Sequence, residues 1–168
     1  MSILDQFRLD DRVAIVTGAS SGLGVDIAVS LASAGAHVVL GARRADRLEQ
    51  VRDKITAMGK RALAVRTDVS EPTDCQALVD AAMREFGQVD VLVNNAGIGT
   101  AVPATRETPE EFRRVIDINL AGTYWMAQAC GRVMRPGSSI VNISSVLALT
   151  TAGFRKRPIR RARRGCWV

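Results

Sequence analysis

One histidine and three cysteines are all that this chain offers of the usual metal-binding and thiol chemistry. His37 opens an apolar stretch just after Gly35-Ala36 and reads as structural, so a histidine-based catalytic triad and a multi-histidine metal site are both excluded. Cys75, Cys130 and Cys166 have neither paired nor metal-ligand spacing, and read as reduced thiols. No apolar run approaches the length of a membrane span. The first eleven residues carry four charges and no signal-peptide core. These absences point to a soluble cytoplasmic protein with no bound metal and no membrane partner.

Acids are missing from one stretch. Seven of the 23 basic residues fall within 151–168, which has no Asp or Glu; the remaining 16 face 17 acids, so the body stands at −1. The net charge of +6 and the pI near 10.0 therefore belong to the tail. A basic pI by itself would indicate nucleic acid, but the body has no basic bias. At 168 residues the chain suits one domain with a real core. The expected division is a dinucleotide-binding unit, 1–154, and a basic tail, 155–168.

What the body does contain is an alternation of strand-like and helix-like segments. Strands are expected at Arg12–Thr17, His37–Gly41, Ala62–Arg66, Val89–Val93 and Ser139–Ile143. Helices are expected at Gly22–Ala34, Ala45–Met58 and Pro72–Phe86, and one long helix from the Thr108-Pro109-Glu110-Glu111 cap to Met134. Apolar strands alternating with helices give an α/β fold, a Rossmann-type doubly wound parallel sheet of order 3-2-1-4-5. Its first strand-helix turn lies beside the switch point, where ligands bind.

That turn reads Thr17-Gly18-Ala19-Ser20-Ser21-Gly22-Leu23-Gly24. Glycines there let the backbone approach a phosphate, and the helix N-terminus behind them favours an anion. Gly18 permits a tight turn, Gly22 close approach of a cofactor, and Gly24 close packing of the helix on the sheet. The end of the second strand, Gly41-Ala42-Arg43-Arg44, has no carboxylate for a ribose diol and offers two guanidiniums suited to a 2′-phosphate. NADP(H) is therefore expected over NAD(H), with Arg43 as the main contact; the alternative is a solvated arginine pair, or pairing of either arginine with Asp46.

The spacing Gly18-x-x-x-Gly22-x-Gly24 resembles the Thr-Gly-x-x-x-Gly-x-Gly turn of the short-chain dehydrogenases/reductases. Four further elements resemble that family, in order: Asp68-Val69, Asn94-Asn95-Ala96-Gly97, Asn119 in Asp117-Ile118-Asn119-Leu120, and Asn142-Ile143-Ser144-Ser145. The likeness spans residues 10 to about 154. It implies hydride transfer between a nicotinamide cofactor and a small carbonyl or alcohol substrate, in a homodimer or homotetramer. It implies a cofactor site of Thr17, Gly18, Ser20, Ser21, Gly22, Leu23, Gly24, Arg43, Asp68, Val69, Asn95, Ala96 and Gly97. It also implies Ser145 as the catalytic serine and Asn119 as the holder of a relay water. Each residue has a local reading too: Asp68 as a turn or cap, Asn94 and Asn95 as bridges between strand ends, Ser145 as a helix cap.

The resemblance also sharpens an absence. The family reaction uses a Tyr with a Lys four residues later, shortly after the serine. The only tyrosine here is Tyr124, followed four residues on by Gln128, and the lysines are Lys54, Lys60 and Lys156. The chain is therefore expected to be truncated on its C-terminal side and inactive in turnover. Reading the tail codons one base earlier allows tyrosine at position 159 and lysine at 163, and forces leucine and glycine at 167 and 168. A base lost near the codons of Phe154 and Arg155 would account for the basic tail, and the nucleotide sequence tests it. Two other readings stand beside this one: a non-catalytic dinucleotide-binding module, and a nucleic-acid-binding protein acting through a disordered arginine-rich tail.

Overall fold

Val-Ala-Ile-Val-Thr, residues Val13–Thr17, forms the first strand, β1, and every one of its side chains is buried. A five-residue apolar run without charge suits the middle of a sheet covered on both faces. The computed structural model describes residues 3–99, 102–103 and 105–146. The expected boundary at 154 and the basic stretch 155–168 lie outside the described residues.

After a 3-10 turn, Ile3–Phe7, the elements follow in order. They are β1, α1 (Leu23–Ser33), β2 (His37–Ala42), α2 (Ala45–Thr56), β3 (Ala62–Arg66), α3 (Pro72–Phe86) and β4 (Val91–Asn94). Then come α4 (Pro109–Ile116), a π-turn (Asp117–Ala121), α5 (Gly122–Gly131) and β5 (Ser139–Asn142). The sheet has the expected order, β3-β2-β1-β4-β5, and every pairing is parallel.

Two apolar clusters sandwich the sheet. Val13, Ile15, Val39 and Leu92 pack with Leu78 and Val79 of α3 and Met126 of α5. On the other face Val16, Val38, Leu40 and Val93 pack with Ala28 and Ala32 of α1 and Leu48, Val51 and Ile55 of α2. The alternation along β1 and β2 shares each strand between the two clusters, which locks register: a one-residue slip would exchange the faces.

The ends of the helices follow local chemistry. Pro72 opens α3, and Gly87 closes it in the left-handed region at φ 75°. α4 starts from a capping box in which Glu111 N donates to Thr108 Oγ1 at 3.2 Å and Thr108 N donates to Glu111 Oε2 at 2.9 Å. The expected single helix from this cap to Met134 is not continuous. It is interrupted by the π-turn at Asp117–Ala121, and α5 ends at Gly131. One extra residue per turn frees backbone groups, and Thr123 Oγ1 donates to the Asn119 carbonyl at 3.1 Å.

His37 is structural, as its position implied. Its ring stacks on Phe86 at 5.6 Å and its Nδ1 accepts a hydrogen bond from Arg61 N at 3.4 Å. Among the described residues no helix is long and apolar enough to cross a membrane, and no cluster of His, Cys, Asp or Glu could hold a metal.

Candidate functional site

The carboxyl ends of β1 and β4 are stitched together by one threonine and one asparagine. Thr17 is 1 % exposed, and its Oγ1 accepts from Asn95 N at 3.1 Å and Ala96 N at 3.0 Å. Asn95 Nδ2 returns a bond to the Thr17 carbonyl at 3.0 Å. Threonine is the residue type that can be buried at a strand end and still satisfy two orphan amides. Thr17 and Asn95 therefore set the shape of the glycine turn from below.

Gly18 sits at φ +68°, and a Cβ there would lie 2.8 Å from Ala96 Cα, so only glycine fits between the two strand ends. Gly22 sits at φ +56°, and nothing lies within 4 Å of where its Cβ would be. It therefore leaves open space at the start of α1, which has no side-chain cap. Uncapped N–H groups beside open space are the arrangement that receives an anion. Gly24, in the first turn of α1, comes close to the sheet's carboxyl edge. A Cβ there would strike the Gly18 carbonyl oxygen at 2.3 Å and Asn95 Nδ2 at 2.7 Å, just past the ends of β1 and β4, so glycine lets the helix approach that edge.

A cleft of about 490 Å³ opens above this turn. It is lined by Gly18, Ser20, Ser21, Leu23 and Gly24 from the turn, Arg43 and Arg44 from the end of β2, and Asp68 and Val69 from the end of β3. Asn95, Ala96 and Gly97 line it from the end of β4. Thr17 and Gly22, also expected at the site, are not on its wall; Thr17 lies beneath it and Gly22 at the head of α1. The wall also includes Ala42, Thr67, Ile98 and Ile118, which the sequence reading did not single out. Ile98 directly follows the Asn-Asn-Ala-Gly element and Ile118 precedes Asn119, so their adjacency was the available signal.

The two arginines take different partners. Arg44 Nη2 donates to Ser20 Oγ at 3.0 Å and to Ser21 Oγ at 2.6 Å, which draws its guanidinium over the glycine turn. Arg43 instead faces Asp68, with Nη1 3.9 Å from Oδ2. Asp46 approaches neither; its carboxylate lies 4.0 Å from Arg47. Asp68 Oδ1 accepts from Ser70 N at 3.1 Å and from Ser70 Oγ at 2.7 Å, the turn chemistry of a short acid beyond a strand. Partial burial pushes its carboxyl up, but the Ser70 hydrogen bonds and the charge of Arg43 outweigh this, and its pKa is lowered.

The second half of the site is organised around the π-turn. Asn119 is 2 % exposed, and its side chain grips the backbone of Ile98: Oδ1 accepts from Ile98 N at 2.8 Å and Nδ2 donates to the Ile98 carbonyl at 2.8 Å. Asn94 Nδ2 donates to Asn142 Oδ1 at 3.0 Å and to the Thr123 carbonyl at 3.3 Å, joining β4, β5 and α5. Ser145 follows the end of β5 and is half-buried. Neither Asn119 nor Ser145 lines the cleft. Tyr124 stands 57 % exposed on α5, and its hydroxyl accepts from Gln128 Nε2 at 3.4 Å.

Comparison with known proteins places this geometry. A family model described as short chain dehydrogenase matches residues 12–155. An uncharacterized oxidoreductase of Methylorubrum extorquens is 43% identical over 141 residues, 83% of this chain and 57% of the relative. A versicolorin reductase of Emericella nidulans is 39% identical over 146 residues, 86% of this chain and 55% of the relative. This chain thus spans little more than half the length of these relatives. A short-chain type dehydrogenase/reductase from Mycobacterium marinum superposes with a TM-score of 0.93 at 33% identity, over 98% of this chain and 66% of that one. A short chain dehydrogenase from Burkholderia cenocepacia, solved in complex with NADP, superposes with a TM-score of 0.91 at 32% identity, over 94% of this chain and 65% of that one. On the family match, the shared sheet and the five motifs in their order, the chain belongs to the short-chain dehydrogenase family.

Proposed function

We propose that this chain is the nucleotide-binding part of an oxidoreductase acting between a carbonyl and an alcohol, and that its cleft takes NADP(H) in preference to NAD(H). The observation that carries the preference is the Arg44 guanidinium, held at the glycine turn by two neutral hydroxyls, Ser20 and Ser21. Its charge has no carboxylate within ion-pair distance among the described residues, and the last residue of β2 is Ala42 rather than an acid. Arg43, by contrast, is partly neutralised by Asp68. Arg44 is therefore the better seat for a 2′-phosphate, in place of the Arg43 favoured by the sequence alone.

The remaining residues fit the same guest. Gly22 leaves room for a pyrophosphate at the head of α1, in a turn that Gly18 and Gly24 keep tight beside Leu23, and Asp68 with Val69 offers an acceptor and an apolar wall for an adenine. Ala96 and Gly97, supported by Asn95 and Thr17, border the ribose end. When bound, the cofactor's nicotinamide supplies or accepts a hydride. Ser145 would donate a hydrogen bond to the substrate oxygen. Asn119 spends its side chain on Ile98, so a relay water would meet this residue through its backbone, where the Thr123 hydroxyl also bonds.

The proton-transfer pair is the weak point. No Tyr-x-x-x-Lys follows Ser145 in this sequence, and general acid–base catalysis contributes roughly 10²–10⁴ in rate. That absence favours a second reading, a module that binds the dinucleotide without turning over substrate. Titration of the chain with NADPH and NADH separates these claims. A charged hydrogen bond contributes about 1.5–3 kcal/mol, so NADPH should bind roughly ten- to a hundredfold more tightly than NADH. Arg44→Ala should erase that ratio while Arg43→Ala leaves most of it. Equal affinities for the two cofactors would overturn the assignment.

A further inference from the structure

Gly122, the first residue of α5, is a glycine without a backbone reason to be one. Its φ of −60° and ψ of −38° are ordinary helical angles that an L-residue adopts freely, and glycine weakens a helix relative to alanine. The reason lies in space. Gly122 is buried, and a Cβ there would stand 2.7 Å from Val69 Cγ2, 2.9 Å from the Val69 carbonyl oxygen and 3.0 Å from Val69 Cβ. All three atoms belong to one residue. Gly131, at the other end of the same helix, has nothing within 4 Å of its Cβ position.

Val69 lines the cleft, and its other sides are held. Its carbonyl accepts from Cys75 Sγ of α3 at 3.5 Å, and its side chain belongs to the buried cluster of Cys75, Leu78, Val79 and Ile118. The residue before it, Asp68, is tied into a turn: its carbonyl accepts from Glu71 N at 3.0 Å, and its Oδ1 from Ser70 N at 3.1 Å. Close-packed neighbours leave a displaced Val69 only the cleft to move into. The same stretch of chain reaches the cleft twice more, because Ile118 lines it and Asn119 grips Ile98, which lines it too. π-turns of this kind are frequent at functional sites. We propose that Gly122 is a positioning residue for the nucleoside end of the cleft: its missing side chain seats α5 against Val69 and so holds the Asp68-Val69 wall at the width an adenine needs. This deepens the dinucleotide reading of the cleft and rests on it. A methyl at position 122 drives Val69 into that slot, whereas the glycine turn, which is shaped by Asn95 and Ala96, keeps its form.

The test is titration of the purified 168-residue chain, as wild type, Gly122→Ala and Gly131→Ala, with ADP and with inorganic pyrophosphate. ADP reaches both the glycine turn and the Val69 wall; pyrophosphate reaches the turn alone. Gly122→Ala should weaken ADP binding by about tenfold or more and leave pyrophosphate binding unchanged, and Gly131→Ala should alter neither. ADP affinity indifferent to Gly122→Ala, or pyrophosphate weakened as much as ADP, overturns the proposal. A wild-type chain that takes up neither ADP nor NADPH refutes the dinucleotide reading, and the proposal with it. The contact itself is read without nucleotide. Val69→Ala removes Cγ2, so Gly122→Ala should lower the melting temperature less in the Val69→Ala background than in the wild type. If Gly122→Ala alone does not fold, the double variant should. Equal losses in the two backgrounds, or no rescue of folding, overturn the proposal.

Discussion

β1 and β5 are short parallel strands of the same sheet, yet they occupy opposite situations. Each residue of β1 is buried, and the strand is flanked by β2 and β4; among the described residues β5 pairs with β4 alone, and its two central apolar residues are half-exposed. The carboxyl end of β1 is correspondingly well determined. Thr17, Gly18 and Asn95 are fixed by four hydrogen bonds and a close contact with Ala96. Past the end of β5 lies Ser145, half-buried. The difference teaches that the two halves of the candidate site are separately built. The glycine-turn half is closely braced, whereas the half beyond β5 follows a strand whose central residues are half-exposed.

Removing core volume from each strand gives the largest expected contrast. Ile15→Ala should lower the unfolding free energy by about 2–5 kcal/mol, because a wholly buried isoleucine leaves a cavity. Ile140→Ala, starting from a half-exposed side chain, should cost roughly 1 kcal/mol or less. Denaturant midpoints of the two variants measure this, and similar losses would erase the distinction between the strands.

A smaller effect is expected at the π-turn, which connects the halves. Asn119→Leu removes both bonds to Ile98 and leaves a buried amide and carbonyl to find other partners, at about 1–3 kcal/mol per unsatisfied group. Binding of dinucleotide should weaken with it, since Ile98 is on the cleft wall. A variant with unchanged melting would show that the Asn119–Ile98 pair is not what holds that loop.

The mildest probe is thiol reactivity. Burial pushes the Cys75 and Cys130 thiols up to about 12. At pH 8 the thiolate fraction of each is therefore on the order of 10⁻⁴, far below that of an ordinary cysteine. Mass mapping after alkylation at pH 8 should find both unlabelled in the folded chain and labelled in denaturant. Cys75 Sγ donates to the Val69 carbonyl at 3.5 Å, so its labelling in the native state would report opening of the cleft wall.

The contrast between the halves also explains what could be read from the chain alone. β3 and α3 fell on their observed bounds because Ala-Leu-Ala-Val-Arg alternates with a proline-opened, glycine-closed helix, and each signal is local. The sheet order followed from the same alternation. The π-turn did not show: Asp-Ile-Asn-Leu-Ala keeps helical spacing, and the break depends on Asn119 finding Ile98 across the fold. The roles of Arg43 and Arg44 were likewise not separable from adjacent letters. Their division follows from Asp68 and from Ser20 and Ser21, which lie far away in sequence and meet the arginines only once β1, β2 and β3 align.

The most direct test puts binding and chemistry on one sample. The purified chain is titrated with NADPH and then supplied with a panel of ketones, aldehydes and quinones while nicotinamide absorbance is followed. Saturable NADPH binding with no substrate-dependent loss of absorbance is the expected result. Failure to bind either nicotinamide cofactor, or steady NADPH consumption by the chain alone, would contradict the account.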